Sequence, residues 1–363
     1  MKEIFVTEPF LPPLDEYTKY LKEIWKTKQL TNMGEYHKKF ELALSKYLNV
    51  EHVSLVNSAT TGLIIAQRAL GFSGEIITTP FSFIATAHTI KWNEFKPRFV
   101  DTDRYSGNLD PRQVEAAISQ NTGGILAVFN YGIPENIECL QKISRKNKIP
   151  LLYDAAPALG VKYKGESILK NGDAAVISFH GTKIFTTMEG GAIISKSSKI
   201  KKKVDRLKNF SILDYETVSG IGTNGKMNEL QAAMGLLQLK YLDQSIKKRK
   251  LVYKKYCKHL NEINGISLLK IPNEIDYNYS YMPLFFDAGK TYRDKIFLEM
   301  KKNNIICRKY WYPLITDHEV YNQGQNTKFP NARRLSDSVL CLPIYPALSS
   351  KHIFRIIKIF KKV

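Results

Sequence analysis

The chain has 363 residues, 44% of them hydrophobic, enough for a large core and suggestive of two domains. No apolar run reaches the ~20 residues of a spanning helix, and the opening Met1-Lys2-Glu3-Ile4-Phe5, followed by Pro9, Pro12 and Pro13, lacks the apolar stretch of a signal peptide, so a soluble, cytoplasmic protein with no membrane insertion is expected. The net charge of +20 favours anions (nucleotides, nucleic acid or an acidic membrane surface), but the lysines are dispersed, and their clusters at 199–203, 247–255 and 351–362 read as solvated helix faces.

Residues 13–48 place Leu14, Tyr17, Leu21, Ile24 and Trp25, then Phe40, Leu42, Leu44 and Tyr47, at a period near four, which predicts helices. A strand over 52–57 ends in Ser58-Ala59-Thr60-Thr61, and a helix over 62–70 follows. The pattern repeats as strand 75–79, helix 84–91, strand 96–100, helix 111–119, strand 124–130 and helix 137–147. Strands over 150–154, 174–178 and 191–195 complete it. Such alternation predicts a mostly parallel sheet covered on both faces, with ligand at the carboxyl ends of its strands. Ser58, Phe83, Asp154 and Ser178 lie at or just beyond such ends. After Gly222 come a helix over 227–242, a very basic helix over 244–263 and a second α+β unit closed by a basic amphipathic helix over 350–361. The expected division is a large domain, 1–245, and a small one, 246–363. Cys139, Cys257, Cys307 and Cys341 show no CxxC pair and read as reduced thiols; no metal site is expected.

Lys183 ends the run Ser178-Phe179-His180-Gly181-Thr182-Lys183, ahead of Glu189-Gly190-Gly191. Ile177, Phe179, Ile184 and Phe185 would desolvate its amine and favour the neutral, nucleophilic form. Asp154 ends an apolar run over 149–153. Alone it reads better as a helix N-cap before Ala155-Ala156; beside Lys183 the counter-ion of a pyridinium becomes the better reading. A lysine and a buried acid are what pyridoxal phosphate (PLP) needs, the first as covalent anchor and the second to keep the ring nitrogen protonated. Ser58-Ala59-Thr60 opens a helix and Ser178 lies near the lysine, so these could hold the phosphate; a cap and an anion site share one geometry. Phe83 would cover the ring or pack in the core.

The chain resembles the DegT/DnrJ/StrS family of PLP-dependent nucleotide-sugar aminotransferases over nearly its whole length. The resemblance rests on Leu30-Thr31-Asn32-Met33-Gly34, the Ser-x-Thr turn, residues 80–87, Asp154-Ala155-Ala156, Ser178 to Lys183 and Glu189-Gly190-Gly191. It continues through Gly222-Thr223-Asn224-x-Lys226-Met227-x-Glu229 and Leu342-Pro343-x-Tyr345. It implies an α/β, fold-type I PLP aminotransferase with a large, mostly parallel domain and a smaller C-terminal α+β domain. It also implies an obligate homodimer with shared active sites, in which Asn224 reaches the partner's PLP phosphate. His180 would lie near the cofactor, and Arg308 and Tyr310 would approach the nucleotide sugar. Two positions depart from the family: Ala59 replaces a usual Gly, and Pro157 replaces a Gln or His that contacts the ring hydroxyl. Lysine at 183, where a dehydratase branch has histidine, favours transamination. The implied reaction takes an amino group from glutamate to a keto nucleotide sugar. Phe10-Leu11-Pro12-Pro13-Leu14 with Leu30-Thr31-Asn32-x-Gly34 is similar to members that aminate C4 of dTDP-4-keto-6-deoxyglucose, giving dTDP-4-amino-4,6-dideoxyglucose for surface glycans such as the O-antigen of lipopolysaccharide. The 3-keto isomer, a UDP or GDP sugar and another fold-type I PLP reaction stay open. A non-enzymatic scaffold has only the +20 charge in its favour. No nucleic-acid partner is expected.

Overall fold

Seven strands form the central sheet: β1 (Val53–Val56), β2 (Glu75–Thr78), β3 (Lys96–Phe99), β4 (Thr122–Val128), β5 (Leu151–Asp154), β6 (Ala174–Ser178) and β7 (Gly191–Ser195). The computed structural model describes residues 3–134, 136–322 and 329–361; Met1, Lys2 and Lys362 of the segments read above lie outside them. The spatial order is β1-β7-β6-β5-β4-β2-β3. All pairs are parallel except those of β7, which is antiparallel to β1 and β6. β6 and β7 are buried at every position because both faces are covered. Alternate side chains feed two cores: Ala175, Ile177, Ala192 and Ile194 pack on one side, and Val176 and Ile193 pack on the other with Leu63 and Ile65.

The helices are α1 (Leu14–Thr27), α2 (Glu35–Leu48), α3 (Ala59–Leu70), α4 (Ala85–Trp92), α5 (Pro111–Ala117), α6 (Ile137–Asn147), α7 (Ser198–Leu207), α8 (Glu229–Leu260), α9 (Gly289–Lys302), α10 (Pro330–Ser338) and α11 (Ser350–Phe360). The central-sheet strands and the helices α1 to α6 match the sequence pattern to within a few residues, while the short strands Ile4–Phe5, Lys162–Tyr163 and Glu166–Ser167 are additional to it. The helices expected over 227–242 and 244–263 are one 32-residue helix, α8. Composition turns from apolar to basic at Asp243-Gln244, but no Gly or Pro interrupts the backbone there. A capping box starts α8: the Asn228 side chain accepts from Gln231 N, and the Gln231 side chain accepts from Asn228 N. Its first half packs Ala232, Ala233, Leu237 and Leu242 into the large core. From Val252 on, Tyr253, Tyr256 and Leu260 join a second core with Leu284, Ile296, Leu340 and Ile356. That core covers a small antiparallel sheet, β8 (Ile266–Leu268), β9 (Pro283–Phe286) and β10 (Val339–Cys341).

Two motifs far apart in sequence dock on each other. The Glu229 carboxylate accepts from Tyr36 N (2.8 Å) and His37 N (3.0 Å), placing a negative charge at the start of α2. A Cβ at Gly34 would come within 2.7 Å of that carboxylate, so the position needs glycine.

A buried charge cluster ties α2 to α7. Lys208, 1% exposed, places Nζ 3.3 Å from Glu41 and 3.1 Å from Asp205, and Lys201 lies 3.6 Å from Glu41. Burial alone would raise the Glu41 pKa, but His37, Lys208 and Lys201 outweigh it and hold the group at about 2. A carboxylate depressed in the folded state stabilises above its unfolded pKa, and that contribution is lost as pH falls through the folded value. Glu41→Gln is therefore expected to lose roughly 3 kcal/mol of unfolding free energy at neutral pH, at about 1.4 kcal/mol per pKa unit. Denaturant melts should show its deficit shrinking as pH falls from 4.5 toward 2. A deficit independent of pH would contradict this reading.

Candidate active site

The carboxyl ends of the central strands and the start of α3 surround a cavity of about 320 Å³. Asp154, the last residue of β5, lines it. The carboxylate is buried and accepts from Thr86 Oγ1 at 2.7 Å and Ala156 N at 3.2 Å. Thr86 Oγ1 is in turn 2.8 Å from Ser82 Oγ. No helix follows Asp154, so the capping alternative has nothing to cap. Burial pushes its pKa up; the Thr86 and Ala156 hydrogen bonds and the Lys183 charge work against that push. Among the described residues no basic side chain forms an ion pair with it.

Lys183 sits in the turn between β6 and β7, facing the same cavity. Among the described residues it is the one lysine lining that cavity. Its half-buried Nζ donates to the Tyr281 hydroxyl at 3.1 Å and lies 5.7 Å from the ring centroid. The apolar neighbours expected to desolvate it belong to the core: Phe179 and Phe185 pack at 5.7 and 6.0 Å from Phe40. The immediate partner of the amine is thus a tyrosine hydroxyl from the C-terminal half.

At the other end of the cavity Ser58 caps α3, its Oγ accepting from Thr61 N at 3.1 Å. The N–H groups of Ala59 and Thr60, as first residues of a helix, have no intrahelical acceptor. β7 runs directly against this turn: a Cβ at Gly191 would stand 2.9 Å from Ala59 N, which requires glycine there. Ser178, at the end of β6, accepts from His180 N at 3.3 Å. His180 lies at the exposed rim, with Nδ1 2.9 Å from Thr182 Oγ1 and Nε2 3.5 Å from Glu189.

Phe83 is 56% exposed and lines the cavity, so it is no core residue. Its ring lies 5.7 Å from that of Trp311, whose Nε1 donates to Asn130 Oδ1 at 3.1 Å. Tyr310 meets Tyr281 edge-on at 5.7 Å, and burial pushes its hydroxyl up to about 12. Sequence reasoning missed Thr86, Asn130, Tyr281 and Trp311; the run Tyr310-Trp311-Tyr312 was the one visible signal. Pro157 lines the cavity without a donor, and its carbonyl accepts from Asn278 Nδ2 (2.7 Å) and Ser280 Oγ (2.9 Å). Asn224 and Arg308 lie outside this cavity. Both are exposed; the Asn224 carbonyl accepts from Asn57 Nδ2 at 3.0 Å, and the Arg308 backbone pairs with Cys341.

The DegT/DnrJ/EryC1/StrS aminotransferase family matches residues 14–361. The chain belongs to this family. It is 43% identical over 364 residues to a dTDP-4-amino-4,6-dideoxy-D-glucose transaminase from Shigella dysenteriae, covering 100% of this chain and 99% of that one. A transaminase of the same name from Escherichia coli is 43% identical over 365 residues, with 99% and 98% covered. The solved structure of DesI in the presence of its TDP-sugar product superposes with a TM-score of 0.95 at 29% identity, covering 100% of this chain and 93% of that one. The protein is a fold-type I, PLP-dependent aminotransferase.

The site suits that cofactor on its own chemistry. A buried carboxylate that forms no ion pair among the described residues gains from a protonated ring nitrogen. A lysine amine faces the same space, and a capped helix start offers free N–H groups to a phosphate.

Proposed function

We propose that this aminotransferase moves an amino group from glutamate to C4 of dTDP-4-keto-6-deoxyglucose, giving dTDP-4-amino-4,6-dideoxyglucose. The observation that carries the reading is the end-to-end likeness to the two bacterial transaminases, with Lys183 and Asp154 lining one cavity. When bound, PLP supplies an electron sink for the carbon that loses or gains a proton. Lys183 would anchor the cofactor, and its Nζ would take and return the proton at the substrate carbon. The Tyr281 hydroxyl holds Nζ in place through their hydrogen bond. Asp154 keeps its charge against the ring nitrogen, positioned by Thr86 and Ala156. Ser58, Ala59 and Thr60 would hold the phosphate with Ser178, and Phe83 would cover the ring. His180 stands at the rim beside the cofactor. Tyr310 and Trp311 wall the entrance against water, and Arg308 meets the nucleotide sugar on its approach.

The protein works as a homodimer with shared sites. The segment from Phe210 to Ile221, held by an Ile212–Val218 bridge, leaves Leu213, Tyr215, Val218 and Ile221 in solvent. So much contiguous apolar surface supports burial against a second copy. Asn224 follows that segment and lies outside its own cavity, which supports delivery to the partner's cofactor phosphate. The large and small domains meet near residue 245, where α8 changes core. No helix among the described residues is long and apolar enough to cross a membrane; the reaction takes place in the cytoplasm and its product feeds surface glycan synthesis such as O-antigen.

The expected outcome of incubating the holoenzyme with glutamate and dTDP-4-keto-6-deoxyglucose is one product whose NMR spectrum places the new amine at C4. An amine at C3 would overturn the position, and the absence of any amino sugar would overturn the substrate.

A further inference from the structure

The reaction makes no use of a strongly basic face formed by the second half of α8 and α11. Along the second half of α8 the exposed positions Lys247, Lys248, Leu251, Lys254, Lys255 and Lys258 recur at helical spacing and form one stripe. α11 adds Lys351, Phe354 and Lys358, and Lys361 follows its end. The two helices lie side by side: Lys255 Nζ donates to Ser350 Oγ at 2.8 Å, and the rings of His259 and Phe354 are 5.3 Å apart. No Asp or Glu occurs between residues 244 and 261 or between 338 and 361. Among the described residues none of these lysines reaches a carboxylate, whereas elsewhere lysines such as Lys96 and Lys146 do. The arginines of these helices turn inward: Arg249 donates to the Tyr279 and Ile344 carbonyls, and Arg355 to that of Asn303.

A second copy is a poor occupant, because two such faces repel each other. Recognition of individual phosphates favours the forked guanidinium, yet only lysines, which act as hydrated point charges, face outward. Leu251 and Phe354 stand within the lysine field, both more than half exposed. Lysines around exposed apolar side chains suit the headgroup layer of an anionic bilayer, where each basic residue adds attraction and the apolar groups enter the interface. We propose that the face formed by α8 and α11 docks the enzyme peripherally on membranes of anionic phospholipid.

The test is sedimentation of the purified holoenzyme with vesicles of phosphatidylcholine alone or of an equimolar mixture with phosphatidylglycerol, at about 0.1 M salt. Binding is expected to the mixed vesicles only, and to be lost at high salt. Changing Lys254→Gln, Lys255→Gln and Lys258→Gln together should weaken it by more than about tenfold, with turnover on the soluble sugar substrate unchanged. Phe354→Ser should also weaken it. Removing the same charge from α7, with Lys199→Gln, Lys202→Gln and Lys203→Gln, should leave it within about twofold. Equal loss from both triple variants would overturn the proposal, because total charge and not this face would then carry the binding. Failure to prefer mixed over neutral vesicles would overturn it too, as would tighter binding to duplex DNA than to the mixed vesicles at the same salt.

Discussion

Lys183→Ala is expected to lose aminotransfer by more than about 10⁴-fold, the scale seen when a covalent nucleophile is removed. The cavity explains why nothing replaces it: no other lysine among the described residues lines it. The nearest group, the Tyr281 hydroxyl at 3.1 Å, cannot form the covalent link to an aldehyde that an amine forms. The change should cost little stability, since a half-buried amine with one hydrogen bond to a hydroxyl contributes little net energy. Loss of activity with an unshifted thermal melt would therefore report chemistry and not folding. Borohydride treatment should fix cofactor mass to the peptide carrying Lys183 in the parent protein and to no peptide in the variant. Activity within tenfold of the parent would sink the assignment.

The second large effect is expected from Asp154→Asn. The carboxylate is buried and its pKa is pushed up by that burial. A group raised in the folded state costs stability as pH climbs past its unfolded value, so the charge is a burden on the cofactor-free protein at neutral pH. The neutral amide should leave that form equally stable or slightly more so. With PLP the sign reverses, because the charge meets a protonated ring nitrogen in a water-poor site. Affinity for PLP should fall, and turnover should drop by about 10³-fold. Thr86→Val, which keeps the charge and removes the 2.7 Å hydrogen bond, should fall between parent and Asp154→Asn in both readouts. A variant in which apo stability and cofactor affinity fall together would mean that Asp154 serves the fold alone.

Much of the large domain was legible because its strands are short apolar runs closed by small polar turns, and because alternation with helices leaves few topologies. That pattern also located Ser58, Asp154, Ser178 and Lys183, which occupy strand ends or the turns just after them. Tyr281 and Trp311 reach the same cavity from the C-terminal half, 98 and 128 residues beyond Lys183. No local period encodes their arrival; it follows from how the second core seats against the first. Thr86 was hidden differently: it lies inside a helix, where a threonine draws no notice until the strand end opposite is placed beside it. The unbroken α8 shows the converse error, since a change of composition at Asp243 reads as a boundary while the backbone there has no reason to stop.

The most direct test of the account is the visible spectrum of the purified protein after addition of PLP, then glutamate, then dTDP-4-keto-6-deoxyglucose. The account predicts a cofactor band that bleaches with glutamate and returns when the keto sugar accepts the amine. A protein that takes up no cofactor, or whose band is indifferent to glutamate, would contradict it.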